Sequence, residues 1–529
     1  MRRRVVITFI SFVLSLLPIL VQAQRSNANL RQLQKLNRVY ANLQGYYVDS
    51  VDMKPLVESA IRGMLEELDP HSVYLDEKEM KSEQESFDGE FSGIGVEYNI
   101  LKDTIIVVGT VSNGPAERVG VLPNDRIVEI DGEVVIGIER SDVPPRLRGE
   151  KGSVVNLGVA RRGVKDLLHF SITRDRIPIT TVDAAYLAAE RTGYIKVNRF
   201  GRTTMAEFSE AVANLGDIDA LILDLSNNGG GLLDQAVEMA GYFLPAGSLI
   251  VSTEGRAIEP QYYYAKQAGV FDGRLVVMIN ESSASGSEIV AGAMQDWDRG
   301  VVVGRDSFGK GLVQSQIPLG DGTAMRLTIA RYHTPSGRAI QRPYERGHKE
   351  EYLKAHADRL RSAQQDSILQ GDRKEYYTKR SGRVVYADGG IKPDVRVESD
   401  TTLVSNYMVK VIAQGVYNDF LLSYLDAHRE QLAERYPTFE KFDAEFDLSD
   451  DDMRLLVELA KAKGVEYDEV GFLHSLPLMK IQISAIFAQR LFSTSEYYQY
   501  INPRINDSFK KSLMLLNNWI SEGEPILKR

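Results

Sequence analysis

The sequence predicts a multidomain α/β protein with a β-rich module near its front and helical regions at both ends. Three observations carry this reading. The chain has 529 residues, more than one hydrophobic core accommodates and enough for roughly three to five domains. Between about 180 and 342, apolar strand-like runs such as 220–225 and 273–279 alternate with helical stretches, the rhythm of a sheet buried on both faces. Ahead of that region, 86–176 is made of short β-rich runs broken by glycine.

Composition narrows the function classes. Hydrophobic residues make up 43% and charged residues 26%, which excludes a fibrous, collagen-like or wholly disordered chain. The formal net charge of -10 gives the protein no electrostatic footprint for nucleic acid. There are no cysteines, so disulfides, thiol catalysis and thiolate metal sites are excluded.

Arg2, Arg3 and Arg4 precede an apolar run from 5 to 21, and Val21-Gln22-Ala23 supplies a small-residue cleavage pattern. Residues 1–23 therefore read as a signal peptide. A membrane anchor is the other reading of a run at the short edge of a span, and Pro18 and Ala23 favour cleavage. The expected mature protein is acidic, exported to the periplasm or cell envelope, and without an integral span.

Residues 24–85 form a helical region. Leu33, Leu36, Val39, Tyr40 and Leu43 recur at three- and four-residue steps, the spacing of one buried helix face, and helical pattern continues to about residue 75. A second helix over 56–65 stops at Asp69-Pro70, because proline disfavours helix in the residue before it. In the β-rich module, 95–100 and 104–108 read as a strand pair, and Asp131-Gly132 marks a tight hairpin turn. Residues 343–384 are dense in Lys, Glu, Asp, Arg and Gln and read as a partly helical surface insertion. The α/β core occupies 177–342 and 385–401, and 402–529 reads as a helical domain.

Three segments of the core carry candidate chemistry. After the strand at 221–225, Ser226-Asn227-Asn228-Gly229-Gly230-Gly231 opens a helix. Glycines at such a start present free N–H groups, as a phosphate loop, as an oxyanion hole, or as nothing more than a flexible turn. After the next strand, Ser283-Ala284-Ser285-Gly286-Ser287-Glu288-Ile289 places serines at a strand-to-helix turn, where a hydroxyl is either a nucleophile or an N-cap. In Phe308-Gly309-Lys310-Gly311-Leu312-Val313-Gln314 a lysine sits between glycines. Desolvated, its amine loses its proton more readily and can accept one from a serine; exposed, it is a loop lysine.

Together these motifs resemble the C-terminal processing, or tail-specific, proteases. The family pattern Asp-Leu-Arg-x-Asn-x-Gly-Gly is similar to the segment from Asp224 to Gly231, and Ser-Ala-Ser-Ala-Ser-Glu-Ile to 283–289. Phe-Gly-Lys-Gly-x-Val-Gln matches without change at 308–314. Flanking signatures are Leu68-Asp69-Pro70-His71-Ser72, Thr334-Pro335-Ser336-Gly337-Arg338 and Gly390-Ile391-Lys392-Pro393-Asp394. Two departures stand out: Ser226 replaces the family arginine and Gly229 the usual proline, which removes a charge and loosens the turn.

The resemblance implies an α/β peptidase core of the ClpP/crotonase-like type, a PDZ domain over 86–176 with two helices, and a serine endopeptidase with a Ser–Lys pair. It implies Ser285 as nucleophile, Lys310 as base, Gln314 as the lysine's partner, and the N–H groups of Gly230 and Gly286 as oxyanion hole. In the PDZ domain, Gly93, Ile94, Gly95 and Val96 belong to the loop that would bind a substrate's C-terminal carboxylate. Pro144 and Pro145 shorten the second PDZ helix, and Arg148 matches a family position. His71 reads as structural. Neither cofactor nor metal is implied, and the expected partners are polypeptides held by their C-termini. The helical flanks are candidates for a homodimer contact or for docking an adaptor. The alternative is a PDZ-bearing binding or chaperone protein with an impaired peptidase core.

Overall fold

The computed structural model of the chain describes residues 28–101, 103–267, 269–361, 374–387 and 389–528. The expected signal peptide, 1–23, and the 362–373 part of the charged insertion lie outside the described residues. The chain divides into two compact units, 1–68 and 69–529.

In the first unit a helix spans 28–46 and a second spans Met53–Glu66, opened by the Asp52 carboxylate accepting from the Lys54 N–H at 3.0 Å. Of the five apolar residues predicted to be buried, Leu33, Leu36, Val39 and Tyr40 are instead exposed, from 42% at Tyr40 to 55% at Leu33, and Leu43 is half-buried. Periodicity places apolar side chains on one face; it does not supply the layer that covers them. Nor does helix continue to 75, because Val73–Leu75 is a strand in the second unit.

The core of the second unit is a six-stranded sheet in the order Val182–Ala189, Thr192–Val197, Ala220–Asp224, Arg274–Ile279, Val301–Gly304, Val395–Arg396. The first pair is antiparallel and the other four are parallel. Helices Thr204–Leu215, Leu233–Phe243 and Gly286–Asp296 supply Phe208, Met239 and Ile289 to one face. The other face carries Tyr194, Ile222, Val276 and Met278, and Phe509, Leu515 and Leu516 of the chain's far end cover it. Parallel strands are stable only with both faces covered, so the last helices complete the sheet rather than standing apart from it.

A second sheet contains the hairpin Leu312–Pro318 and Ala324–His333, with Val73–Leu75 paired to Ala324–Arg326. The β-rich module is a six-stranded sheet packed around Ile105, Ile127, Val155 and Leu157, with short helices Pro115–Arg118 and Val143–Leu147. Asp131 and Gly132 link the strands ending at Ile130 and starting at Glu133, both at positive φ (51° and 81°), as a two-residue type I′ turn requires. Strand Val96–Leu101 lies at the edge of this sheet. The helix Val143–Leu147 has only five residues, with Pro144 and Pro145 at its start, where their missing N–H groups do no harm.

The helical domain packs around Phe420, Phe442, Leu456, Met479 and Phe487. Its helix Glu469–Leu491 is long and apolar enough to cross a membrane by length and composition, and half of that stretch is buried in the structure. The domain also grips the β-rich module. Arg126 pairs with Asp426 at 3.0 Å, Arg162 donates to the Asp426 carbonyl at 2.6 Å, Arg490 pairs with Glu97 at 2.8 Å, and Leu422 packs with Ile106 and Val108. The charged insertion differs from expectation in burial: Tyr352 and Arg383 are buried, the latter paired with Asp298 and Asp394, both at 2.7 Å.

Candidate active site

The three motif segments leave the core sheet at the carboxyl ends of neighbouring parallel strands, where open α/β sheets place their ligands. Ser285, Gly286, Gly230, Lys310 and Gln314 all line one cleft of about 650 Å³, with Phe87, Leu232, Ile289, Leu312 and Tyr332 giving it an apolar wall.

Ser285 opens the helix Gly286–Asp296, whose residues are all buried. Its backbone sits at φ 53° and ψ -112°, a conformation that non-glycine residues rarely adopt. The turn has the strained strand-to-helix geometry of an elbow without a Gly-x-Ser-x-Gly sequence, and the positive end of the helix lies behind Ser285. One carboxylate organises the surroundings. Glu288, fully buried, accepts from the Ser285 N–H (2.8 Å) and Lys310 N–H (2.9 Å) on one oxygen, and from the Gly309 N–H (2.7 Å) and Ser307 hydroxyl (2.5 Å) on the other. Burial raises its pKa, and these four donors oppose that rise.

Lys310 has its pKa lowered to about 8, first by burial and then by the positive charge of Arg326, against the pull of Glu288, Glu83 and Asp69. Gln314 shares the cleft, but its amide nitrogen donates to the His71 carbonyl at 2.6 Å rather than to the lysine. The Tyr332 hydroxyl lies against the carbonyls of both Ser285 and Lys310.

The glycine turn is fixed despite its two departures. Leu225 receives the Ser283 hydroxyl on its carbonyl at 2.8 Å, Asn227 and Asn280 exchange two bonds of 2.8 Å, and the Asn228 carbonyl takes the Ala284 N–H at 2.9 Å. Asn228 Oδ1 in turn receives the Gly230 N–H at 2.9 Å. A Cβ at Gly230, where φ is +97°, would sit 2.6 Å from Ser285 Cβ and 2.9 Å from the Gly286 nitrogen. Gly230→Ala is thus expected to lower kcat on the order of 100-fold, because its methyl group would push Ser285 and the Gly286 N–H out of place. Gly229→Ala, whose Cβ meets nothing within 4 Å, is the control and should keep near-normal kcat.

The model for "Peptidase family S41" matches residues 191–350, that for "PDZ domain" 106–161, and that for "Activating protease CtpB N-terminal domain" 16–79. A carboxy-terminal-processing protease of Bartonella bacilliformis is 38% identical over 64% of this chain and 80% of its own length. The chain belongs to the carboxy-terminal processing proteases. The CtpB protease of Bacillus subtilis is 34% identical over 60% of this chain and 68% of its own. A solved photosystem II D1 C-terminal processing protease aligns with 29% identity and a TM-score of 0.34, over 58% of this chain and 83% of that one. Residues 407–493 match a family of unknown function, DUF8443. As a carboxy-terminal processing protease, this chain is a serine-type peptidase with a PDZ domain and a helical C-terminal region.

The flanking signatures of this processing protease are braces for the cleft. Asp69 accepts from the Ser72 hydroxyl at 2.5 Å, the His71 N–H at 2.9 Å and the Thr328 hydroxyl at 3.0 Å, which presents the His71 carbonyl to Gln314. His71 itself has its pKa lowered to about 4, by burial and then by Lys310, so it is neutral at pH 7. Arg338, fully buried, pairs with Asp296 at 2.8 Å. The Ser307 hydroxyl, which donates to Glu288, takes the Ile391 N–H at 2.6 Å. Tyr332 and Arg326 carry no sequence signal at all: they reach the site on the second arm of the hairpin whose first arm carries Gln314.

In the PDZ domain, Gly93 ends the strand Glu90–Gly93, and Ile94 and Gly95 form the loop before the edge strand; all three are buried, with Gly95 at φ +72°. Arg148 stacks 4.2 Å over the Phe91 ring and pairs with Glu85 at 2.9 Å.

Proposed function

We propose that the chain is an exported serine endopeptidase that takes hold of polypeptide C-termini through its PDZ domain and cleaves with Ser285 and Lys310. The observation that carries this reading is the single cleft lined by a strained serine, a lysine with depressed pKa and two apposed glycines. Neutral Lys310 takes the proton of the Ser285 hydroxyl as its oxygen attacks the scissile carbonyl. The N–H groups of Gly286 and Gly230 stabilise the oxyanion, the latter shared with Asn228 Oδ1. The lysine proton then passes to the leaving amine, and water hydrolyses the acyl-serine by the same route. Gln314 fixes the lysine's surroundings through the His71 carbonyl.

For substrate capture, the position of strand Val96–Leu101 at the sheet edge supports addition of a peptide strand, and the N–H groups of Gly93, Ile94, Gly95 and Val96 form the carboxylate loop. The Ser92 hydroxyl beside them is buried without a partner among the described residues, which adds a donor to that loop.

The test is cleavage of an unstructured protein with an apolar C-terminus by the mature enzyme and by Ser285→Ala. Cutting by the former alone is the expected result. Binding of the tail with no cutting by either would overturn the peptidase reading in favour of a PDZ-bearing binding protein.

A further inference from the structure

The mechanism makes no use of an ion pair buried directly behind the glycine turn. Lys196, on the strand Thr192–Val197, and Asp224, at the end of Ala220–Asp224, are 3% and 2% exposed. Their charged atoms are 3.5 Å apart. A buried pair contributes little to stability as such, and it persists when its hydrogen bonds fix a particular geometry. Here those bonds converge on one residue. Asp224 Oδ1 accepts the Ser226 N–H at 2.7 Å, and Lys196 Nζ donates to the Ser226 carbonyl. The other carboxylate oxygen takes the Tyr194 hydroxyl at 2.7 Å, which orients the acid. One residue along the strand, the Val197 carbonyl accepts the Asn228 amide at 3.1 Å, and Asn228 holds the Gly230 N–H. The strand thus grips the turn at Ser226 and at Asn228, on the two sides of Asn227.

We propose that Lys196 is a positioning residue of the peptidase: with Asp224 it clamps both backbone polar groups of Ser226 and thereby aims the Gly230 N–H at the oxyanion. The proposal rests on the protease reading. It explains how a turn with serine in place of the family arginine keeps its shape. The cation comes from the neighbouring strand instead of from the turn. On this proposal an arginine at position 226 should be able to supply the same charge from the turn.

The experiment compares full-length wild type, Lys196→Met, Lys196→Arg and Lys196→Met with Ser226→Arg, all checked for folding by thermal melts. A positioning role predicts that Lys196→Met lowers kcat about tenfold or more with KM within about twofold. Affinity for a peptide boronate, which mimics the tetrahedral adduct, should fall by the same factor, while PDZ binding of a C-terminal peptide is unchanged. Lys196→Arg and the double variant should recover most of the loss. A folded Lys196→Met with wild-type kcat and boronate affinity overturns the proposal. So does a loss that tracks only the melting temperature and is not recovered by Ser226→Arg. If Lys196→Met fails to fold with Asp224 left unpaired, Lys196→Met with Asp224→Asn removes both charges and is read by the same criteria. Absence of cleavage by the wild type is a separate result: it defeats the protease reading, and this proposal with it.

Discussion

Lys310→Met is expected to abolish cleavage and to raise the stability of the fold at pH 7. Both effects have one cause. The amine lies in a cleft walled by Leu312 and Tyr332, where burial and the nearby Arg326 bring its pKa to about 8. A general base must be neutral, so at pH 7 roughly a tenth of the protein is competent, and kcat/KM should climb with pH and level off above about 8. Arg326→Gln removes a charge that lowers the lysine pKa, so the rising limb should move to higher pH. The stability effect follows from linkage. The folded pKa lies below the 10.5 of the free side chain, so the protonated amine destabilises the fold. That penalty is fully present below about pH 8 and vanishes as pH rises past the unfolded value. Methionine fills similar volume without a charge to desolvate, and the gain at pH 7 is about 1–3 kcal/mol. Thermal melts of both proteins at pH 7 and pH 10.5 check this: the difference should shrink at the higher pH. Retained cleavage in a folded Lys310→Met would remove lysine from the mechanism.

The sequence revealed some features and hid others for physical reasons that differ from place to place. The strand at 220–225 was legible because both its faces are buried, which forces an unbroken apolar run. The Asp131-Gly132 turn was legible because its backbone excludes most other residues. The cleft residues were legible through short motifs, and the structure brings Ser285, Gly230, Gly286, Lys310 and Gln314 to one place. What stayed hidden depends on long-range packing. The exposed stripe through Leu33 and Leu36 has the same periodicity as a buried one. Lys196 reads as an ordinary strand lysine until the parallel pairing of 192–196 with 220–224 sets it beside Asp224. Phe509 and Leu516 cover Tyr194, Ile222, Val276 and Met278 of the core sheet from more than 200 residues further along the chain, and no local pattern announces it.

The braces around Glu288 carry the second large prediction. Its two oxygens receive three backbone N–H groups and one hydroxyl, drawn from the Ser285 turn and from the lysine loop. An acceptor with no donor of its own suits this position, which is what an ionised carboxylate is. Glu288→Ala leaves those four donors buried without a partner. At about 1–3 kcal/mol for each unsatisfied group, with some relaxation, the fold should lose about 3–6 kcal/mol. Glu288→Gln keeps the volume but turns an NH₂ towards two of the donors, so it should rescue only part of the stability. Activity should fall further than stability explains, because Ser285 and Lys310 are tied to the same carboxylate oxygen and their separation depends on it. Urea melts give the stability loss, and kcat measured well below the melting temperature gives the catalytic one. A folded Glu288→Gln with near-normal kcat would mean that the Tyr332 hydroxyl, which touches the carbonyls of the same two residues, holds them in register without the acid.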